Sequence, residues 1–333
     1  MIKSLSNAIL VKIRARYAKR LTREDYSNLV SCNKVSDVAS YLKNKPIYSE
    51  SLLRLNDKEI HRGPLESALI QCFFEDLSIL AKYDLAFSKK IFKYILTKFE
   101  IQQIGKFLVF LKSGNLKKFE CFYSDFLESG SKILFKEFNN ARTYGDLLKS
   151  LAKSDYYSIL KSNESDNEIF DINKIETGLY NYLFGIIFES VSKFNAKIRE
   201  KTKKFLYDCA DVANVIRAAR SKKFYNSENE YISDIMFQFG DYKFTKFDLL
   251  SYSKFSNFDF ISSEIKSIQD LERFSKIMKF NWCKKNIRYS NVSEIVGFSY
   301  VSLKEIEISN VVNIIEGVRY NLSKEIIEQM LVV

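Results

Sequence analysis

The sequence contains little of what nucleophilic catalysis or a disulfide framework requires. Among its 333 residues there is a single histidine, His61, which lies in a polar segment. A Ser-His-Asp or Cys-His arrangement would have to use that one imidazole. The five cysteines stand singly, without CxxC spacing, at Cys32, Cys72, Cys121, Cys209 and Cys283. An odd number of scattered thiols argues against both disulfides and a zinc site.

Proline and glycine are also scarce, with 2 and 10 copies. β-Sandwiches and barrels need many tight turns, so this scarcity favours helices joined by polar loops. Neither GxxxxGK[ST] nor GxGxxG occurs, and no cofactor is therefore expected. The most apolar stretch, from Leu179 to Phe188, is about half the length that crosses a bilayer. We expect a soluble or peripheral protein without a cleaved leader.

Apolar and basic residues are abundant. Hydrophobic residues make up 46% of the chain, including 28 Phe and 20 Tyr, which predicts a large buried core. The formal net charge of +11 is typical of proteins that bind nucleic acids or anionic surfaces. Because Lys, Asn, Ile, Phe and Tyr are enriched together, as an AT-rich coding sequence would impose, the charge by itself is weak evidence of a partner.

Local patterns predict helices and some of their ends. One apolar stripe with steps of three and four residues comprises Phe205, Cys209, Val212, Ile216 and Ala219. Capping boxes predict helix starts at Thr22 with Asp25, Thr143 with Asp146 and Thr245 with Asp248, and Ser323 is expected to begin a final short helix. Two acidic stretches without periodicity, Ser162 to Asn173 and Asn226 to Glu230, are predicted loops.

Two short elements recur along the chain. The first is an aspartate followed by two apolar residues, at Asp37, Asp146 and Asp248; a tyrosine follows 11 residues later at Tyr48 and Tyr157, and Asp259 stands there in the third copy. The second is an acid, an amide three residues on and a base twelve beyond the acid. Its copies are Glu100, Gln103 and Lys112; Asp211, Asn214 and Lys223; and Glu307, Asn310 and Arg319.

The spacing of these elements predicts the domain organisation. The first and second elements are separated by 63, 65 and 59 residues in the three copies. Such similar gaps indicate three tandem helical units, at residues 1–112, 113–223 and 224–333. We therefore predict an all-α fold of three similar helical bundles related by a pseudo-threefold axis, since the period is too long for a solenoid.

The same segments resemble the C-subunit family of the V-type (A/V-type) ATPases, whose eukaryotic members are called the d subunit. The similar stretches at the start are Asn7-Ala8, Arg14 to Arg16, Leu21 to Tyr26, Asp37 to Leu42 and Tyr48; at the end they are Gly297, Tyr300-Val301, Lys304-Glu305, Glu307, Asn310, Gly317, Tyr320 and Leu322-Ser323. The segment from Tyr207 to Lys223 resembles an internal element of that family. Gln103, Lys106 and Asn313 depart from the residues common there.

This resemblance implies a funnel-shaped protein without catalytic residues. Its wide end would seat on the proteolipid rotor ring and its socket would hold the central stalk subunits of the D and F type, with the membrane stator subunit as a further neighbour. Such a protein transmits torque between ATP chemistry and proton or sodium transport at the cytoplasmic face of a membrane. No nucleic acid would take part.

Six charged residues on the second elements are candidate contacts to the stalk or ring: Arg217, Arg220, Lys223, Glu307, Glu316 and Arg319. The alternative is that the amides satisfy neighbouring groups between packed helices and that the charges form solvated pairs. The basic stretch Lys193 to Lys204 is a candidate contact to anionic headgroups, although the pattern favours a solvated helical face. Two other classes of function stay open at this point, a basic helical nucleic-acid-binding protein and a hydrolase with paired carboxylates.

Overall fold

The computed structural model describes residues 2–53, 55, 60–81, 85–119, 130–164, 170–238 and 267–333. α-Helices form most of these residues. Within the same ranges, the β-structure is one isolated bridge between Glu164 and Phe170. The all-α prediction is confirmed. We found no helix in these ranges with the length and hydropathy needed to cross a bilayer.

The structure describes fifteen α-helices, numbered here in chain order. They are α1 (Ile2–Ala18), α2 (Arg23–Val30), α3 (Val35–Lys43), α4 (Ser49–Leu52), α5 (Arg62–Ala81), α6 (Leu85–Lys112), α7 (Phe135–Asn140), α8 (Tyr144–Ser150), α9 (Tyr157–Lys161), α10 (Ile172–Ser192), α11 (Ala196–Tyr225), α12 (Asn229–Asp234), α13 (Ile268–Tyr289), α14 (Ser293–Arg319) and α15 (Lys324–Gln329). A 3-10 turn spans Leu116–Lys118.

Helix starts follow the predicted caps where the structure describes them. Thr22, Thr143 and Ser323 each accept a hydrogen bond from a backbone N–H in the first turn of α2, α8 and α15. The box at Thr245 lies outside the described residues. Both predicted loops were too long, because Asp171 caps α10 at Ile172 and α12 begins at Asn229.

The chain folds into two compact units. The first combines Met1–Phe92 with Lys276–Val333, and the second spans Lys93–Ser275. The division into three bundles at residues 112 and 223 stays a prediction.

α14 carries the core of the first unit. Its N-terminal half contributes Val296, Tyr300 and Leu303 to an apolar cluster with α1, α5 and α13. Its C-terminal half contributes Val311, Ile314, Ile315 and Val318 to a second cluster with α2 to α5 and α15. One long helix thus joins the first and last segments of the chain through buried side chains, each contributing about 1.5–3 kcal/mol.

Close helix contacts depend on two glycines. A Cβ built on Gly317 of α14 would lie 2.5 Å from Cγ1 of Ile327 in α15, and one built on Gly178 of α10 would lie 2.7 Å from Cγ2 of Ile159 in α9. Real Cβ atoms do not approach so closely, so these positions allow a short helix to dock on a long one.

Aromatic side chains fill the core of the second unit. The rings of Phe107, Phe119 and Phe138 lie with centroids 5.2–5.6 Å apart. Tyr144 stacks on Phe170 at 4.9 Å. Edge-to-face and stacked pairs of this kind add to the apolar burial.

Candidate functional site

The acid of the second repeated element is buried in every copy. Glu100 on α6, Asp211 on α11 and Glu307 on α14 are 4%, 2% and 6% exposed. A carboxylate removed from water is unfavourable unless hydrogen bonds or a counter-charge compensate for it. The partners of these acids therefore show what the elements do.

Glu307 belongs to a buried ion-pair network in the first unit. It accepts hydrogen bonds from the backbone N–H of Leu21 at 2.9 Å, from Lys304 Nζ at 2.5 Å and from the Tyr48 hydroxyl. Lys304 is 4% exposed, and its ammonium lies 4.1 Å from the centroid of the Tyr48 ring. The tyrosine of the first element thus contacts the acid of the second.

A similar contact occurs in the second unit. Glu100 accepts hydrogen bonds from the hydroxyls of Tyr156 and Ser131. Burial raises the pKa of the Glu100 carboxyl above its ordinary value, although both hydrogen bonds oppose that rise. These two partners are neutral hydroxyls, whereas Glu307 is neutralised by the Lys304 ammonium.

The tyrosine that contacts Glu100 stands one residue before the tyrosine of the sequence repeat. Tyr157 is 38% exposed, whereas Tyr156 is 4% exposed and holds Glu100. Both Tyr48 and Tyr156 immediately precede a short helix, α4 and α9. The path from the aspartate to that helix is one residue shorter in the second copy, which moves the contact to Tyr156. The third copy, with Asp248 and Asp259, lies outside the described residues.

The amides of the second element bind a returning segment. The Asn310 side chain donates to Val332 O at 2.8 Å and accepts from Val332 N at 3.0 Å. The Asn214 side chain makes the same two bonds with Phe237, at 3.1 and 2.8 Å. Gln103 is also buried, but the corresponding segment after α6 lies outside the described residues.

A residue with left-handed backbone conformation follows each of the three longest described helices, α6, α11 and α14. Gly114 has φ of 68° after α6, Asn226 has 46° after α11 and Asn321 has 52° after α14. Such residues end helices and turn the chain back. In the copies after α11 and α14 a short helix and an amide-bound segment follow, so the second element is a repeated structural motif.

Two of the six predicted contact residues, Glu307 and Arg217, are each held by several partners inside the protein. Glu307 lies in the network described above. Arg217 donates to Glu176 at 2.6 Å, to Thr177 at 2.8 Å and to the carbonyls of Asn173 and Ile235 at 3.0 and 3.1 Å. It also lies over the Phe237 ring, which is a cation–π arrangement. Arg217 therefore ties α11 to α10.

The other four lie nearer the surface. Arg220 pairs with Glu272 at 2.6 Å, and Glu316 pairs with Arg62. Lys223 and Arg319 are exposed near the C-termini of α11 and α14. Cations at these ends are favoured by the helix dipole, so their position has a structural explanation as well.

The described residues hold no group of three His, Cys, Asp or Glu side chains suited to a metal ion. No disulfide joins the described cysteines, Cys32, Cys72, Cys209 and Cys283, and Cys121 lies outside the described residues. Sequence reasoning missed Lys304 as a buried counter-ion. A signal existed, because Lys304 lies three residues before Glu307 and therefore on a neighbouring helical ridge.

Comparison with known proteins gives a consistent answer. A profile described as "ATP synthase (C/AC39) subunit" matches residues 9–330. The chain is 28% identical over 206 residues to the C subunit of the A-type ATP synthase of Methanosarcina barkeri (strain Fusaro / DSM 804), an alignment that covers 57% of this chain and 55% of that relative. The matched region thus spans about half of the relative's length. Since the profile covers nearly the whole chain, the protein belongs to the ATP synthase (C/AC39) subunit family.

Proposed function

We propose that this chain is a non-catalytic coupling subunit of a rotary ATPase, in which it links the central stalk to the proteolipid ring and transmits torque. The observation that carries this proposal is the repeated helix motif with its amide-bound return segment, at Asn214 and Asn310. A protein that transmits rotation needs stiff elements and complementary surfaces, and buried charge networks confer stiffness when every member is satisfied.

Three helical bundles arranged around an axis would form a stiff protein with surfaces for the stalk and the ring. The Tyr48–Glu307 and Tyr156–Glu100 contacts each join the first element of one repeat to the second element of another. The segment of the third copy that would correspond to Tyr48 and Tyr156 lies outside the described residues. The pseudo-threefold arrangement, and the socket and wide end that it would create, are part of the proposal.

The exposed cations Arg220, Lys223 and Arg319 are our preferred stalk or ring contacts. The test is to mix the purified chain with the stalk heterodimer and with proteolipid rings, and to follow binding by size-exclusion chromatography. We expect both to bind. Lys223→Glu and Arg319→Glu should weaken one of the two interactions by about tenfold, the loss of one charged contact.

Lys153→Glu is the matched control, because Lys153 is exposed and lies outside the second elements. It should leave both interactions unchanged. Failure of the unmodified chain to bind either partner would contradict the coupling role. Binding that survives both Lys223→Glu and Arg319→Glu would contradict only the choice of residues.

The stretch Lys193 to Lys204 is our candidate for contact with headgroups. Lys193, Lys197, Lys201 and Lys204 are exposed. A lysine near an anionic bilayer surface contributes about 1 kcal/mol. Flotation with vesicles of phosphatidylcholine and phosphatidylserine should show weak binding that Lys197→Glu and Lys201→Glu abolish, and binding to neutral vesicles alone would argue against an electrostatic contact.

A further inference from the structure

A basic pocket lies in the first unit, beside the Glu307 network. It is a cavity of about 260 Å³ at the end of α1, the start of α2 and the C-terminal part of α13. Six basic side chains line it, and among the described lining residues Glu307 is the acidic side chain. The basic residues are Arg16, Arg20, Arg23, Lys284, Arg288 and Lys304.

Two of these cations are neutralised inside the protein. Lys304 pairs with Glu307, and Arg16 pairs with the buried carboxylate of Asp76. Asp76 also accepts a hydrogen bond from Tyr300. Carboxylates of the protein therefore compensate the charges of Arg16 and Lys304, and the excess charge of the pocket comes from the other four residues.

The excess positive charge of the pocket comes from four residues, which we call the basic cluster: Arg20, Arg23, Lys284 and Arg288. In the part of the chain that the structure describes, no carboxylate lies within ion-pair distance of any of them. Arg20 lies over the Tyr17 ring and Lys284 over the Phe280 ring. These aromatic contacts orient the two cations but leave their charge uncompensated.

The members of the basic cluster are close enough to repel one another. Burial, and then the charges of Arg288, Arg23 and Arg20, lower the pKa of the Lys284 ammonium. Holding four like charges around one cavity opposes folding, so an anion that enters the cavity relieves a repulsion that the protein's own groups leave in place.

The geometry around the basic cluster suits phosphate groups. Three guanidinium groups offer forked pairs of N–H donors that match phosphate oxygens. Thr22 and Arg23, the cap and first residue of α2, also line the cavity. The cavity is slightly smaller than the range of about 300–1,000 Å³ typical of drug-sized ligands.

We propose that this pocket binds a small anion carrying two or more clustered phosphate groups, through Arg20, Arg23, Lys284 and Arg288. The phosphates could belong to a free polyphosphate-type metabolite or to a phosphorylated lipid headgroup, since the recognising chemistry is the same. The proposal is independent of the coupling role, because it concerns a pocket within one unit and needs neither stalk nor ring.

The primary test is titration calorimetry of the full chain with inorganic tripolyphosphate. We expect one site per chain, with affinity that falls as sodium chloride rises from about 50 to about 300 mM. Lys284→Gln together with Arg288→Gln should weaken binding by roughly tenfold per residue, the value of a charged hydrogen bond. The matched control, Lys153→Gln with Lys136→Gln, removes the same charge from exposed positions of the second unit and should bind normally.

Thermal unfolding provides a second measurement that separates binding from misfolding. Tripolyphosphate should raise the Tm of the unmodified chain and of the control, but not that of the pocket variant. Without the ligand, the pocket variant should melt at the same or a higher temperature, because two mutually repelling charges are gone. Absence of binding, or equal weakening in pocket and control variants, would overturn the proposal.

Binding to lipid vesicles distinguishes a lipid headgroup from a free anion as the source of the phosphate groups. Vesicles of phosphatidylcholine with phosphatidylinositol 4-phosphate should bind the unmodified chain, and tripolyphosphate should displace them, if the ligand is a headgroup. Tripolyphosphate binding without vesicle binding would indicate a free anion. A short single-stranded oligonucleotide that binds more tightly than tripolyphosphate through the same residues would overturn the small-anion proposal in favour of a nucleic acid.

Discussion

At the scale of residues, we expect a large loss of stability when the buried ion pair of Lys304 and Glu307 is broken. Lys304→Met should leave Glu307 as an uncompensated buried charge and lower the free energy of unfolding by about 3–5 kcal/mol. Urea denaturation followed by circular dichroism measures this change.

The double variant Lys304→Met with Glu307→Gln separates the charge from packing. It should regain most of the lost stability, because no unpaired charge remains buried. If the double variant is as unstable as the sum of the two single ones, the pair is not coupled and our description of the network is wrong.

The surroundings of Asp25 predict that the stability of the protein depends on pH. Burial raises its pKa, but hydrogen bonds from Lys45, the Thr22 amide, the Tyr41 hydroxyl and the Thr22 hydroxyl outweigh burial and hold the pKa well below its ordinary value. A lowered folded-state pKa stabilises the protein above the unfolded pKa, and this contribution is lost as pH falls towards the folded pKa.

Asp25→Asn should therefore destabilise the chain by about 1 kcal/mol at neutral pH, as expected for a lost hydrogen bond. The difference in urea midpoint between the two proteins should shrink as pH falls from about 5 to about 3. Asp37→Asn serves as a control, since Asp37 caps the exposed start of α3. If the difference in urea midpoint instead increases as the pH falls, the pKa of Asp25 is not lowered in the folded protein.

At the scale of elements, the amide-bound return segment decides whether a short helix stays docked. Asn310→Ala removes both hydrogen bonds to Val332, which should cost about 1–3 kcal/mol and increase hydrogen exchange in α15. Asn313→Ala is the matched control, because Asn313 makes a single 3.2 Å bond to Met330 O near the surface.

The equivalent change in the second unit should act in the same way. Asn214→Ala is expected to increase exchange in α12 and leave α15 unaffected. If Asn310→Ala and Asn313→Ala prove indistinguishable, the amide does not hold the return segment, and the repeat would be a feature of the sequence without a common structural role.

At the scale of the whole molecule, the first unit contains both ends of the chain and should open as one cooperative group. Under mildly denaturing conditions, the slow amides of α1, α5 and α14 should therefore share one opening free energy. Native-state hydrogen exchange measures this. Lys304→Met should lower the protection of these three helices while leaving α10 and α11 unchanged, and α1 opening independently of α14 would contradict the shared core.

Much of the fold could be predicted because its signals are local. Helical spacing and the caps at Thr22, Thr143 and Ser323 involve residues that lie within one or two helical turns of each other. Scarce glycine and proline favour helices over folds with many tight turns. The structure confirms the helices that these signals predict. The acid and amide of the second element were found because they repeat at fixed spacing. The repeat spacing marks Tyr157, but Tyr156 contacts Glu100, because the linker is one residue shorter in this copy and spacing alone does not show that.

The sequence by itself determined the helical class, several helix starts and a repeated polar motif, since each depends on residues a few positions apart. Only the tertiary structure decided that Glu307 is buried and that the partly buried Arg217 binds several other side chains, although their charge favours the surface. It also brought Arg20 and Arg23 beside Lys284 and Arg288, which lie near the opposite end of the chain. Packing sets such distant pairs, because burying α1 against α13 and α14 fixes which charges share a cavity.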